Sequence, residues 1–526
     1  MSAPRQPLGR AAAAVVLLCS ALALLWVVAV RPTLGVSTEH FYPYNPVPRW
    51  PAMATLLAMA MPLVGAAAFA LLWRRPLSSL KQALVVGLMV VGSLLLHTTA
   101  ALAPRPYAGA QLAWPFLWAN TEGSYAFAAP QARRTADFVS NYPHWLDVSP
   151  VRESPHWVHV HHGQVHPPGP ILAFVWFERL YDACPRLEAA AARWVDERFP
   201  TVQVLRQPVV LHQIRHQVTV AMTAALATIV LASLAPLACF AVAREVWPPR
   251  LALVAAGLAA LVPGTYLFNP SIDQAYPAVV LLCCWLWLRA LRTGRWAWGF
   301  AFGALVYGAV FFHVGLALAV AILSAAALVA WRTDRPEWSL AEVVRRHWRL
   351  AMGAAFGFLT PAFALQVWLG YPTLRVVRLC LRNNVLFNAE VRRTYWPWLG
   401  VGPLEFGISL GAALLMVVSA GWVLEVVAAA RRRSLEGRAP LLLAAGTVLL
   451  ALHLVGMNRG ETPRLWLFVT PLLVLGAADF VVRQVGEWRR LLCAVCAAQL
   501  VQIVVFAVAL DVGRTTSFFV DLLAKQ

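Results

Sequence analysis

The chain has 526 residues, of which 60% are hydrophobic and 13% charged, and its formal net charge is +19 at pH 7. This composition excludes an ordinary soluble domain and indicates a polytopic membrane protein. Much of the positive charge lies in short loops between apolar segments, where it is a topology signal, so no nucleic-acid partner is predicted.

Apolar segments long enough to cross about 30 Å of hydrocarbon recur along the whole chain. The first follows Arg5 and Arg10 and lacks a small-x-small cleavage site, so we expect it to remain as an anchor. The pattern predicts an all-α polytopic membrane protein of about thirteen transmembrane helices in a single integral-membrane domain. The helices are expected at 11–30, 52–73, 82–103, 218–243, 251–266, 275–290, 297–312, 315–331, 350–369, 407–430, 439–456, 465–482 and 490–510.

Basic residues predict the orientation of these helices. With a cytoplasmic N-terminus, the short loops around 74–81, 289–295 and 431–438 are rich in arginine and face the cytoplasm, as the positive-inside rule requires. Two segments on the opposite side, 104–217 and 371–406, are much longer than turns. We expect them to carry the function on the outer face of a membrane such as the bacterial cytoplasmic membrane.

The first long outer segment contains the histidine-rich stretch HVHHGQVHPPGP at 159–170, followed by an apolar run that ends near Tyr181. Pro167 and Pro168 favour an extended entry, and Pro170 suits a first helical turn. A helix of about a dozen residues, roughly 18 Å long, should begin here. It is too short to span the membrane, so we expect it at the outer interface, with His166 aimed at a lipid headgroup.

The order of motifs resembles the C-type glycosyltransferases of the membrane, especially the branch of protein mannosyltransferases and aminoarabinose transferases. Glu122 and Tyr125 lie in the first long outer loop, His-Pro-Pro-Gly follows at 166–169, and Asp273 lies in the next outer loop. In that family, the first outer loop carries a catalytic Asp or Asp-Glu, Lys-Pro-Pro or His-Pro-Pro opens a juxtamembrane helix, and a second acidic residue follows. Here Thr121-Glu122 replaces Asp-Glu, and three predicted helices precede the loop instead of one.

The resemblance implies an inverting transfer of a sugar from a polyprenyl-phosphate donor to a glycan, lipid or protein acceptor at the outer face. This chemistry needs a base for the acceptor proton and stabilisation of the leaving phosphate. Glu122 is the first candidate for the base, ahead of Asp137 and the more distant Glu39; a solvated loop carboxylate is the alternative for each. Asp273 is predicted to orient the acceptor, bind a metal or support the base, or else simply to favour a helix N-terminus.

Arginines on the outer side are the candidate phosphate ligands. Arg375, Arg378 and Arg382 fall on one face of a predicted helix, and Arg392 and Arg393 follow it. Guanidinium groups suit a phosphate, although a solvated helix surface or contact with anionic membrane lipid would also explain this row. The other predicted substrate-binding residues are Tyr125, His166, Arg459, Glu461 and Arg464.

Histidines suggest one cofactor, a divalent metal. His159, His161 and His162 are the candidate ligands, although their spacing matches no strong zinc signature. His313 lies between two short apolar helices, where a satisfied intramembrane histidine is expected, although polar groups at such a depth are often functional.

Two other functional classes fit the composition. A transporter or flippase of a lipid or glycolipid also needs many helices and buried polar residues. It is disfavoured because no pair of broken helices lies in matching halves and the polar residues concentrate outside. A catalytically inactive relative that binds lipid is the third interpretation.

Overall fold

The protein is a bundle of α-helices with one short β-hairpin in the part of the chain that is described. The computed structural model describes residues 9–37, 40–45, 48–73, 75–102, 112–116, 123–147, 161–198, 217–322, 326, 340–390, 392–432, 440–456, 459–485 and 487–511. The hairpin pairs Leu34–Val36 with His40–Tyr42 in antiparallel register, Leu34 opposite Tyr42. The all-α prediction is therefore confirmed apart from this hairpin.

The described chain consists mainly of helices. In chain order they are Gly9–Leu25 with a π-helical turn at Trp26–Val30, Ala52–Leu72, Ser79–Leu102, Gly123–Ala128, Thr135–Asp147, His161–Gln164, Gly169–Ala183, Pro185–Arg198, Gln217–Ser233, Ala235–Val246, Pro249–Ala259, Gly264–Leu267, Tyr276–Thr293, Trp296–Phe312, Leu340–Leu369, Thr373–Glu390, Tyr395–Leu410, Ala412–Arg432, Pro440–Val455, Thr462–Leu465, Thr470–Gln484 and Trp488–Ala509. Short 3-10 turns lie at Trp114–Phe116, Ala129–Arg133, Ile272–Ala275, Val314–Leu316 and Leu467–Val469.

Eight helices of the described chain are long and apolar enough to cross a membrane, so the protein is a multi-pass integral membrane protein. They are Arg10–Val30, Ala52–Leu72, Ser79–Leu102, Val218–Val246, Ile272–Thr293, His347–Leu369, Thr462–Gln484 and Trp488–Ala509.

The predicted count of about thirteen spans is not confirmed. Tyr395–Leu410 and the helix after it would form a ninth span, but they are bent by 115°. Pro249–Ala259, Trp296–Phe312 and Leu441–Val455 are apolar but shorter than the other spans. Residues 323–325 and 327–331 of the predicted span at 315–331 lie outside the described residues.

Charged side chains distinguish the two ends of the bundle. Asp273 lies just before the helix Tyr276–Thr293. Near the other end of that helix, Arg289 and Arg292 bind Glu245 at 3.0 and 3.1 Å. That second end carries Arg289 and Arg292 of the loop at 289–295, which is predicted to be cytoplasmic. The end that holds Asp273, here named the site end, is therefore the one predicted to face outward.

Reciprocal glycines join the helices Trp296–Phe312 and Leu340–Leu369. Each carries a Gly-x-x-x-Gly pattern, Gly299 with Gly303 and Gly353 with Gly357. A Cβ added at Gly299 would lie 2.7 Å from the Leu350 carbonyl oxygen, and one at Gly303 would collide with Ala354. Small residues with this spacing let helix backbones approach closely in a membrane. The spacing is visible in the sequence, but the pairing of these two helices is a finding of the structure.

Gly303→Ala is therefore expected to destabilise the protein, by about 1–3 kcal/mol for an overpacked contact. Gly308→Ala is the matched control on the same helix, since nothing lies within 4 Å of a Cβ added there. Because alanine is the better helix former, the control should be neutral or slightly stabilising. Thermal unfolding of the detergent-solubilised protein measures both, and equal midpoints for the two variants would contradict the close packing.

Short helices at the site end carry the predicted functional segments. Gly169–Ala183, here named the juxtamembrane helix, has 15 residues and Pro170 in its first turn, and it is not among the candidate spans. The prediction of a short helix that begins near Pro170 is therefore confirmed. Two further helices are named here for their position and content: the loop helix, Thr135–Asp147, and the arginine helix, Thr373–Glu390.

Candidate active site

Asp273 is held in a rigid turn immediately before a membrane helix. The sequence SIDQ forms a capping box, in which the Asp273 backbone N–H donates to Ser271 Oγ at 3.4 Å and the Ser271 N–H donates to Gln274 Oε1 at 3.2 Å. Gln274 also donates its amide to the Thr265 carbonyl. This turn fixes the Asp273 carboxylate in a buried position, 6% exposed.

Asp273 faces an arginine from a distant part of the chain. Arg464 Nε lies 3.1 Å from Asp273 Oδ2, and Arg464 Nη2 lies 3.3 Å from Glu461 Oε2. Glu461 Oε2 is in turn 3.8 Å from Arg393 Nη2. These four residues, here named the charge cluster, were all predicted as site residues from three separate segments. A buried carboxylate and guanidinium stabilise each other only if paired in this way.

The backbone around the charge cluster is tightly cross-linked. Arg393 donates to the Arg459 carbonyl at 2.7 Å, and Arg459 donates to the Arg393 carbonyl at 3.0 Å. Glu461 and Arg392 both adopt left-handed backbone conformations, with φ of 55° and 54°. Such conformations cost free energy in residues other than glycine and concentrate at functional sites. The segments around 393 and 460 therefore hold the arginines in one arrangement.

Two further residues of this region were not predicted. Tyr42, in the hairpin, is buried, and its pKa is raised well above the ordinary value by burial and then by the charges of Glu405 and Glu461. Glu405, 1% exposed, lies within an apolar helix and interacts with Glu461 and Arg393. An ionisable residue in an apolar helix is itself a functional signal, and it would have identified Glu405 in the sequence.

His166 enters the same region from the first long outer segment. Its backbone carbonyl accepts a hydrogen bond from Tyr142 Oη at 2.8 Å. The Tyr125 ring packs edge-on against the His166 ring, with 5.7 Å between centroids. A Cβ at Gly169 would lie 2.5 Å from the Phe311 carbonyl oxygen. The glycine of His-Pro-Pro-Gly therefore lets the juxtamembrane helix begin against the end of the helix Trp296–Phe312.

This close approach brings His166 next to His313. The two imidazole centroids are 4.9 Å apart, and the centroid of the Tyr276 ring lies 5.3 Å from that of His313. The charges of Asp273 and Arg464 act on His313 as well. His313, expected to be a satisfied intramembrane histidine, accepts a hydrogen bond from the Gly315 N–H and also lies against the ring of His166.

The arginine helix contacts the loop helix through its predicted arginine face. Arg382 Nη1 lies 2.8 Å from Asp147 Oδ1, and Arg375 Nη2 lies 3.6 Å from Asp147 Oδ2. Asn383 donates to the carbonyls of Leu146 and Gln164 at 3.0 and 3.1 Å. Arg378 is exposed. The helix itself is confirmed, and two of its three arginines share one carboxylate.

Some predicted residues remain apart from this arrangement. Asp137 lies exposed in the first turn of the loop helix, and within the described residues its carboxylate forms no ion pair with the charge cluster. Glu122, Glu39 and His159 lie outside the described residues, as do the side chains of His161 and His162. No group of three or more His, Cys, Asp or Glu suited to a metal occurs among the described residues. The predicted metal ligands stay a prediction.

Residues 211–362 match the family model of the dolichyl-phosphate-mannose-protein mannosyltransferases. The matched segment contains Asp273 and His313 but neither the histidine motif nor the arginine helix. The match confirms the predicted resemblance and supports a membrane glycosyltransferase of the C type. No curated protein sequence matches the chain.

Proposed function

Because residues 211–362 match a membrane glycosyltransferase family, we propose that this protein transfers a sugar from a polyprenyl-phosphate donor to an acceptor at the outer membrane face. The observation that carries the proposal is that Asp273, Arg464, Glu461 and Arg393 form one charge cluster, with His313 nearby in contact with His166. The positive-inside rule supports an outward orientation of that end.

The arginines of the charge cluster supply what a leaving phosphate needs. Arg464 and Arg393 are nearly buried, so water screens their charges weakly and each guanidinium acts strongly on a nearby anion. Asp273 and Glu461 orient these guanidinium groups before a donor binds. Preorganised donors of this kind stabilise charge that develops on a leaving group.

The proposed base for the acceptor proton is Glu122, with Asp137 as its alternative. Asp273 is a less suitable base because its carboxylate faces Arg464 at 3.1 Å. We therefore propose that Asp273 supports the reaction by holding Arg464. The assignment of Glu122 rests on the family resemblance and on Tyr125, three residues later, lying beside His166.

Purified protein in detergent tests the proposal directly. It should bind a polyprenyl monophosphate more tightly than the matching polyprenol, and it should transfer a sugar from a polyprenyl-phosphate sugar to an acceptor. Binding without transfer under any donor and acceptor pair would favour the inactive relative. Movement of the lipid between leaflets of proteoliposomes without transfer would favour the flippase.

Variants of the Asp147 ion pair test whether the arginine helix also binds the donor phosphate. Arg382→Gln is expected to lower turnover by about tenfold to a thousandfold, since a charge-stabilising donor is lost. Asp147→Asn breaks the same pair but removes the anion that competes for the arginines, so donor affinity should be equal or higher. The pair is partly exposed, and the loss of stability in either variant should be small, about 0–1 kcal/mol. Equal losses of turnover in both variants would mean that the arginines only hold the loop helix.

A further inference from the structure

His313 occupies a position that its sequence context did not suggest. It ends the helix Trp296–Phe312 and caps the short turn Val314–Leu316. Its ring contacts those of His166 and Tyr276, and it interacts electrostatically with Asp273 and Arg464. It is thus the residue that links the histidine motif to the charge cluster.

The hydrogen bonding of His313 determines which ring nitrogen carries the proton. The Gly315 backbone N–H donates to Nδ1 at 3.0 Å, so Nδ1 is unprotonated and the proton of the neutral ring is on Nε2. Burial, opposed by Asp273 and aided by Arg464, lowers the pKa of His313 and favours this neutral form. Within the described residues, the His313 ring forms this one hydrogen bond, through Nδ1.

Two glycines hold the imidazole in this place. A Cβ at Gly315 would lie 2.7 Å from Cε1 and 2.8 Å from Nδ1 of His313, so any larger residue must displace the ring. Gly169 permits the contact of the juxtamembrane helix with Phe311, two residues before His313. Close backbone contacts at Gly315 and Gly169 therefore fix the position of the ring.

We infer that His313 is a substrate-binding residue whose Nε2–H donates a hydrogen bond to a phosphate oxygen of the polyprenyl-phosphate donor, beside Arg464. This inference rests on the proposed function and adds a residue to it. A neutral N–H donor next to a guanidinium is suited to an anionic oxygen, because it adds a hydrogen bond and requires no further carboxylate to balance its charge.

Substitutions can distinguish the roles of the two ring nitrogens of His313. The amide of glutamine reaches about as far as Nε2 and retains a donor there, whereas the amide of asparagine reaches about as far as Nδ1 and retains only the contact with Gly315. Affinity for a polyprenyl monophosphate, and for the matching polyprenol, is measured on purified full-length protein. His313→Asn and His313→Phe should lose roughly tenfold or more in affinity for the monophosphate, as for a hydrogen bond to a charged group. His313→Gln should remain within about threefold of the wild type.

Gly315→Ala provides an independent variant that leaves the imidazole chemistry intact. It should displace the ring and lower monophosphate affinity, while Gly308→Ala, where an added Cβ meets open space, should not. Affinity for the polyprenol should stay unchanged in every variant, whereas a purely structural role would lower it together with the thermal midpoint.

Two results would overturn the inference, and they differ in what else they overturn. Wild-type monophosphate affinity in both His313→Asn and His313→Phe would show that the Nε2–H binds no phosphate, and it would leave the proposed function standing. A wild-type protein that binds monophosphate and polyprenol equally would overturn the inference and the proposed function together.

Discussion

Glu122→Gln is expected to abolish sugar transfer and to leave the protein folded and able to bind its lipid donor. Glutamine has nearly the same volume as glutamate but cannot accept the acceptor's proton, so the variant removes the base and little else. General-base catalysis contributes about a hundredfold to ten-thousandfold to a rate, and turnover should fall by that amount while donor affinity is retained. Single-turnover transfer by the purified variant measures this loss.

The alternative base provides the control for this experiment. Asp137→Asn makes the same change in the same outer segment, at an exposed carboxylate in the first turn of the loop helix. It should transfer sugar at nearly the wild-type rate. Near-normal turnover in Glu122→Gln together with a large loss in Asp137→Asn would assign the base to Asp137 instead.

Arg464→Gln is expected to cause the second large effect, on both stability and turnover. Asp273 and Arg464 are both nearly buried, and removing the guanidinium leaves the Asp273 carboxylate without its partner. Breaking such a pair on one side costs about 3–5 kcal/mol. Turnover should also fall, by about a hundredfold to a thousandfold, because a charge-stabilising donor is lost. Arg464→Lys retains the charge but not the forked geometry and should recover only part of the turnover.

A double variant separates these two effects. Arg464→Gln combined with Asp273→Asn removes both charges together, so no unpaired carboxylate remains buried at this pair. Its thermal midpoint should recover most of the stability lost in the single variant, while turnover should stay low. Recovery of turnover along with stability would mean that Arg464 maintains the fold and has no part in the transfer.

Helices whose position depends on a short stretch of sequence can be predicted from the sequence. The juxtamembrane helix begins at the position that Pro170 favours, because local backbone preference controls where a helix starts. The arginine helix forms where the spacing of its arginines predicts a helix. The family resemblance also rested on local motifs in order along the chain. The Gly-x-x-x-Gly patterns are also visible in the sequence, but the structure shows that these two helices pack through them.

The sequence by itself therefore determined the class of protein, the starts of these short helices and the type of residues at the site. Only the tertiary structure decided that Asp273 meets Arg464, that Asp147 meets Arg382, and that His166 lies against His313. Those partners are far apart in the chain, and each contact depends on how several helices rotate and pack. Helix packing in a membrane depends on shape complementarity and a few polar contacts, so hydropathy alone cannot specify which polar side chains face one another.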